Sequence, residues 1–282
     1  MMLSMILRNL KLFFRDKTAV FFSMLGVMII MLLYVLFLGA MIESIATSVS
    51  SENARFFMDS WIMAGVIAAT SITTTLQGFG IMIDDRHQKI NRDFMVSPIS
   101  RAQLVLSYVL SSIVIGLLMT LFTFLIAQLY IVMYGGAFLP AKAFFQMIGL
   151  IILSVSASSA MVFFAASLIK TLSAFSTLST LLGTLIGFLT GIYIPIGNLP
   201  GTVQWIIKLF PVSHAASAMR QVMMNEAIAL DVVPLEMKTF LGIVFEYGNY
   251  QMTMGIHVII LVMTFIIFNV LSIAIVSKQK ER

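Results

Sequence analysis

Cysteine is absent from this chain and charge is scarce. With no cysteine among 282 residues, disulfides, thiolate metal sites and thiol chemistry are excluded. Only 10% of the residues are charged, where a soluble domain carries about a quarter. What is there instead is apolar: 60% of the chain is hydrophobic, including 22 Met and 23 Phe. These residues come in long runs, which points to an integral membrane protein in which most Met and Phe face lipid or pack inside. No G-x-x-x-x-G-K-[ST] segment occurs, so the chain has no phosphate loop with which to hydrolyse ATP.

The runs predict an all-α membrane protein with six transmembrane helices, at about 19–42, 61–83, 104–134, 144–169, 173–196 and 253–277. They are continuous and lack the alternation of a β-barrel. Lys and Arg set the expected orientation. Twelve of the 17 lie at the N-terminus, in the 84–103 loop, at Lys170 and at the C-terminus. With the acids counted, one face carries +7 and the other −2, so both termini are expected in the cytoplasm. The basic charge is therefore a topological signal, and no nucleic acid partner is expected.

Outside the spans, residues 1–18 read as an interfacial helix, with Leu3, Ile6, Leu7, Leu10, Phe13 and Phe14 on one face and Arg8, Lys11 and Arg15 off it. The outer segment 197–252 is long for a connector. Pro195, Gly197, Pro200 and Gly201 stop the fifth span. A short apolar patch from Val203 to Phe210 suits a re-entrant helix, and a second helix is expected from Ser217, as N-cap, to about Leu230.

The centres of the spans hold no acid or base, which argues against proton-coupled transport. Two spans carry polar stripes instead. Thr70, Ser71, Thr74 and Gln77 share a face of the second. In the fifth, Ser173, Thr177, Thr180, Thr184, Gly187 and Gly191 are spaced 4-3-4-3-4. Such a seam serves close helix packing or lines a weakly polar path between two subunits, and one seam can do both. Ser154, Ser156, Ser158 and Ser159 read as packing. The three histidines, His87, His214 and His257, are scattered and pair with no carboxylate in the sequence pattern, so neither a metal site nor a catalytic dyad is expected.

The 84–101 loop is the anomaly. Ten of its eighteen residues are charged, His or amide. A loop that polar in a chain this apolar is a candidate docking surface for a soluble partner.

Three stretches carry a resemblance to a known family: Arg8-Asn9-Leu10-Lys11 through Arg15-Asp16; Asp85-Arg86 followed by Ser97-Pro98-Ile99-Ser100-Arg101; and Gly191 through Pro200, followed by Phe210-Pro211-Val212-Ser213-His214 and Ala218-Met219-Arg220. In this order they resemble the permease subunit of ABC-2 type transporters, bacterial exporters of the type V fold. Lys17 departs from the pattern, where many relatives have Pro. The resemblance implies a single domain over 1–282. It also implies two ATP-binding subunits holding ATP and Mg2+, a second permease copy or paralogue, and a bacterial cytoplasmic membrane. The chain itself would bind no cofactor. The 84–103 loop would be the coupling helix, with Asp85, Arg86, Lys89, Arg92, Phe94, Met95, Ser97, Pro98 and Arg101 facing the ATPase. Thr70, Ser71, Thr74, Gln77, Thr177, Thr180, Thr184, Gly187 and Gly191 would line the path, and Tyr193, Ile194, Pro195 and Leu199 the outer gate. Expected cargo is amphipathic or apolar: a drug, an antibiotic peptide, a lipid or a glycolipid. The alternatives are an ATP-independent carrier or channel, or a non-transporting sensor or immunity subunit of an ABC complex.

Overall fold

A computed structural model of the chain describes residues 2–18, 53–90, 99–169, 171–248 and 250–278, together with Phe94 and scattered positions between 20 and 34. Among the described residues its α-helices are α1 (Met2–Arg15), α2 (Ala54–His87), α3 (Arg101–Met133), α4 (Ala141–Leu168), α5 (Leu172–Leu189), α6 (Gly201–Leu209), α7 (Pro211–Asn225), α8 (Leu235–Phe240) and α9 (Met254–Lys278). A 3-10 turn at Ile196–Asn198 and a two-stranded ribbon, Glu246–Tyr247 against Tyr250–Gln251, complete the described elements. Among the described residues five helices, α2, α3, α4, α5 and α9, are long and apolar enough to cross a membrane. The remaining expected span, 19–42, lies mostly outside the described residues, as does Lys170.

Local chemistry explains the boundaries. Ser100 starts α3 with a reciprocal cap: its Oγ accepts from the Gln103 N–H at 3.2 Å, and its own N–H donates to Gln103 Oε1 at 3.1 Å. Thr171 caps α5 by accepting from the Ala174 N–H at 3.2 Å. The fifth span ends at Leu189, short of the expected 196, because Gly191 takes a left-handed turn with φ +69. The Gly191 N–H then bonds the Phe188 carbonyl at 3.1 Å and the Ile192 N–H bonds that of Gly187 at 2.8 Å, closing a Schellman cap. Ser217 is not a helix cap. Its helix begins at Pro211, whose missing N–H costs nothing at the first helical position.

Helix α2 is the hub. α3, α4, α5 and α7 all pack on it, while α9 packs on α4 and α7, and α1 on α3. It is buried all round from Phe57 to Ile72, as a helix at the centre of a bundle must be. Small residues let its neighbours approach. A Cβ at Gly116 would lie 2.6 Å from Thr75 Cγ2 and 2.9 Å from Val155 Cγ1, so α2, α3 and α4 meet at that glycine. Gly116→Ala is expected to cost about 1–2 kcal/mol through overpacking. Thermal unfolding in detergent measures this, and an unchanged midpoint would contradict the close approach.

Candidate functional site

The two ends of α2 carry the two polar assemblies of interest. At the C-terminal end, Asp85 is turned inward. Arg8 of α1 grips it with two hydrogen bonds, Nη1 to Oδ2 at 2.7 Å and Nη2 to Oδ1 at 2.9 Å. The Tyr108 hydroxyl of α3 donates to Oδ2 at 2.6 Å. Asn9, fully buried beside Arg8, donates from Nδ2 to Ser111 Oγ at 3.1 Å. The Arg8 guanidinium also lies 5.2 Å from the Phe94 ring centroid. Hydrogen bonding to Asp85 raises the Arg8 pKa above its ordinary value, against the opposing pull of burial. One carboxylate thus joins α1, α2 and α3.

The sequence groups Asp85 with the exposed loop, but its side chain is only 5% exposed and spends its acceptors inside the fold. Arg86 is half-buried, with Nη1 donating to the Ala166 carbonyl at the end of α4 at 3.3 Å. Lys89 is exposed and left-handed, φ +63, where the chain turns off α2. Phe94 is half-buried and packs on the core. Arg92, Met95, Ser97 and Pro98 lie outside the described residues, and Arg101 opens α3.

Along the middle of α2, Thr70, Ser71 and Thr74 are buried inside this subunit's own bundle. Ser71 Oγ meets Ser154 Oγ at 2.7 Å and Ser158 Oγ at 3.3 Å on α4. Gln77 is exposed. On α5, Thr177, Thr180 and Thr184 are all exposed. Each donates to a carbonyl of its own helix at 3.0 Å, namely that of Ser173, Ser176 and Thr180. That leaves the face small and weakly polar, with the protons of these three hydroxyls held by the helix. The structure thus buries Thr70, Ser71 and Thr74 within the bundle and leaves Gln77 and the three α5 threonines exposed.

At the N-terminal end of α2, the expected gate residues form a compact turn. Tyr193 packs edge-on to Phe188 at 5.1 Å and sits directly over Gly187, where a Cβ would collide with its ring. Ile194, Pro195 and Leu199 are half-buried. Behind this turn lies the arginine of the Ala218-Met219-Arg220 stretch. Arg220 of α7 is fully buried, and desolvation lowers its pKa to about 9. Its Nη2 donates to the carbonyls of Thr190 at 2.7 Å and Gly191 at 3.3 Å, and its Nε to that of Trp61 at 3.3 Å. Its guanidinium lies 4.8 Å from the Trp61 ring centroid, and Trp61 Nε1 donates to the Leu241 carbonyl at 2.7 Å. Gly65, Gly191 and Gly242 all lie against it, which is the sequence signal that could have flagged it.

Two of the three histidines, read as scattered, come together. His214 Nδ1 and His257 Nδ1 lie 2.9 Å apart, and His214 Nε2 meets the Lys208 carbonyl at 2.8 Å. Burial lowers the His214 pKa, against the opposing pull of its bond to the Lys208 carbonyl. The pair ties α7 to α9.

Residues 2–224 match the family model described as ABC-2 type transporter. No curated protein matches the chain.

Proposed function

The chain belongs to the ABC-2 type transporter family, and on that premise we propose that this permease component works as an ATP-driven exporter of amphipathic or apolar cargo. The observation that supports this most is the junction of Arg8, Asp85 and Tyr108. It sits where α2 gives way to the polar segment 88–100, and it joins that segment's root to α1 and α3. A push on the segment is thereby delivered to three helices at once.

In this reading two ATP-binding subunits, carrying ATP and Mg2+, close on one another and press on Lys89, Arg92, Phe94, Met95, Ser97, Pro98 and Arg101. Arg86 anchors the segment to the end of α4. The termini and this segment face the cytoplasm of a bacterial cell, and the turn 190–199 faces outside. Two permease copies, identical or paralogous, meet along the small-residue face of α5. Parting of that face opens a path lined by Thr177, Thr180 and Thr184, and Tyr193, Ile194, Pro195 and Leu199 close it on the outside. Gln77 and Gly191 border the path, and Thr70, Ser71 and Thr74 set the packing behind it. Chemically, a wall of back-bonded hydroxyls and apolar side chains suits an amphipathic or apolar cargo.

Arg86→Ala and Pro98→Ala test the coupling. Each is expected to leave the complex assembled while removing ATP-dependent conformational change in the permease. Wild-type ATPase stimulation and wild-type response to ATP in both variants would contradict the assignment. Movement by the chain without ATP would favour a carrier, and an ATP response without cargo movement a sensor subunit.

A further inference from the structure

We propose that Arg220 is the positioning residue that fixes the outer gate to the helix carrying the coupling segment, so that both ends of α2 move as one lever. This rests on the reading above of an ATP-driven permease. Among the described residues Arg220 makes no ion pair. Its charge is matched by carbonyls from three separate pieces of chain: Trp61 of α2, Thr190 and Gly191 at the broken end of α5, and Gly242 of the loop after α8, the last at 3.5 Å. The first of these is on the lever; the second pair is the root of the gate turn; the third belongs to the outer segment.

Breaking this assembly would leave a fully buried cation without hydrogen-bond partners, which is strongly unfavourable. The cycle therefore has no cheap way to part α2 from the turn 190–196. Packing points the same way. A Cβ at Gly65 of α2 would lie 2.8 Å from Ile192 Cγ1 and 3.1 Å from Arg220 Nη2, so the three segments touch without a gap. α2 is one unbroken helix of 34 residues. From Trp61 to Asp85 it spans ~36 Å, so a tilt imposed at Asp85 reaches Arg220 and the gate without an intervening joint. Gate motion then occurs between this unit and its surroundings, not within it.

The absence of cysteine makes the test clean. A fluorophore at N198C, an exposed position in the 3-10 turn, reports the gate turn in the full complex with its ATP-binding subunits, with and without ATP and vanadate. The expected result is an ATP-dependent emission shift in the wild-type background that R220Q loses while ATP hydrolysis persists. R220K, which keeps the charge but not the fork of donors, is expected to restore part of it. A full shift in R220Q would overturn the proposal. Should R220Q fail to assemble, a second arm decides. G65C/I192C brings two Cβ atoms within disulfide reach. The oxidised form is expected to keep the N198C shift, because these segments do not separate; loss of the shift on oxidation and its return on reduction would overturn the lever. No shift in the wild-type background, in a complex that hydrolyses ATP, would overturn the lever alone. Failure of the chain to associate with any ATP-binding subunit would overturn the function reading, and the lever with it.

Discussion

Arg8→Met destabilises the solubilised chain by about 3 kcal/mol and disconnects α1 from the base of α2. The substitution keeps an unbranched apolar stem and removes both donors to Asp85. That carboxylate is 5% exposed, so it is left buried with the Tyr108 hydroxyl as its remaining strong partner. Arg8 itself is 30% exposed, which puts the cost at the lower end of the range for broken buried pairs. Arg8→Lys is expected to fall between, since an ammonium cannot reproduce two parallel hydrogen bonds. Tyr108→Phe is milder, at about 1.5 kcal/mol, because it removes one hydrogen bond to a charged acceptor. Chemical denaturation in detergent orders the three variants. A wild-type midpoint for Arg8→Met would mean that the pair does not hold the junction.

Gly187→Val costs about 3 kcal/mol, the upper end of the overpacking range. A Cβ at this position collides with the Tyr193 ring, and a branched side chain cannot be accommodated by a small shift. Tyr193 has to leave the groove over α5 and give up its edge contact with Phe188. The expected signature is therefore double: a lowered unfolding midpoint, and Tyr193 exposed to solvent quenchers. Gly187→Ala shows the same signs more weakly. A stable Gly187→Val protein with Tyr193 still packed would show that the gate turn does not depend on this close approach.

These residues also mark what was legible in the sequence. The long apolar runs of α3, α4 and α9 announce themselves within a few residues of their ends, because length and hydropathy suffice. The break after α5 was signalled by Pro195 and Gly197, yet the stop comes at Gly191, where only glycine easily takes the left-handed turn. The start of α7 was missed by six residues: Pro211 opens the helix, and a run rich in Ala, Ser and Met has little amphipathic contrast to show it. Asp85 and Arg8 are 77 residues apart, so nothing local says that the acid is buried. Ser71 likewise looks like part of a polar stripe until α4 brings Ser154 and Ser158 to it. Arg220 was marked by the Ala218-Met219-Arg220 stretch, but its burial was not legible, since the carbonyls around it come from three distant chain segments.

The central claim is that this chain is the membrane half of an ATP-driven machine coupled through the segment after Asp85. The most direct measurement is purification from its own membrane in mild detergent, followed by a stoichiometry and ATP-hydrolysis measurement on the same sample. The account predicts an ATP-binding subunit present one for one with this chain, hydrolysing ATP, and released when Phe94 and Met95 are both replaced by Asp. A chain that purifies alone, or one whose ATPase partner stays bound and active in F94D/M95D, would contradict it.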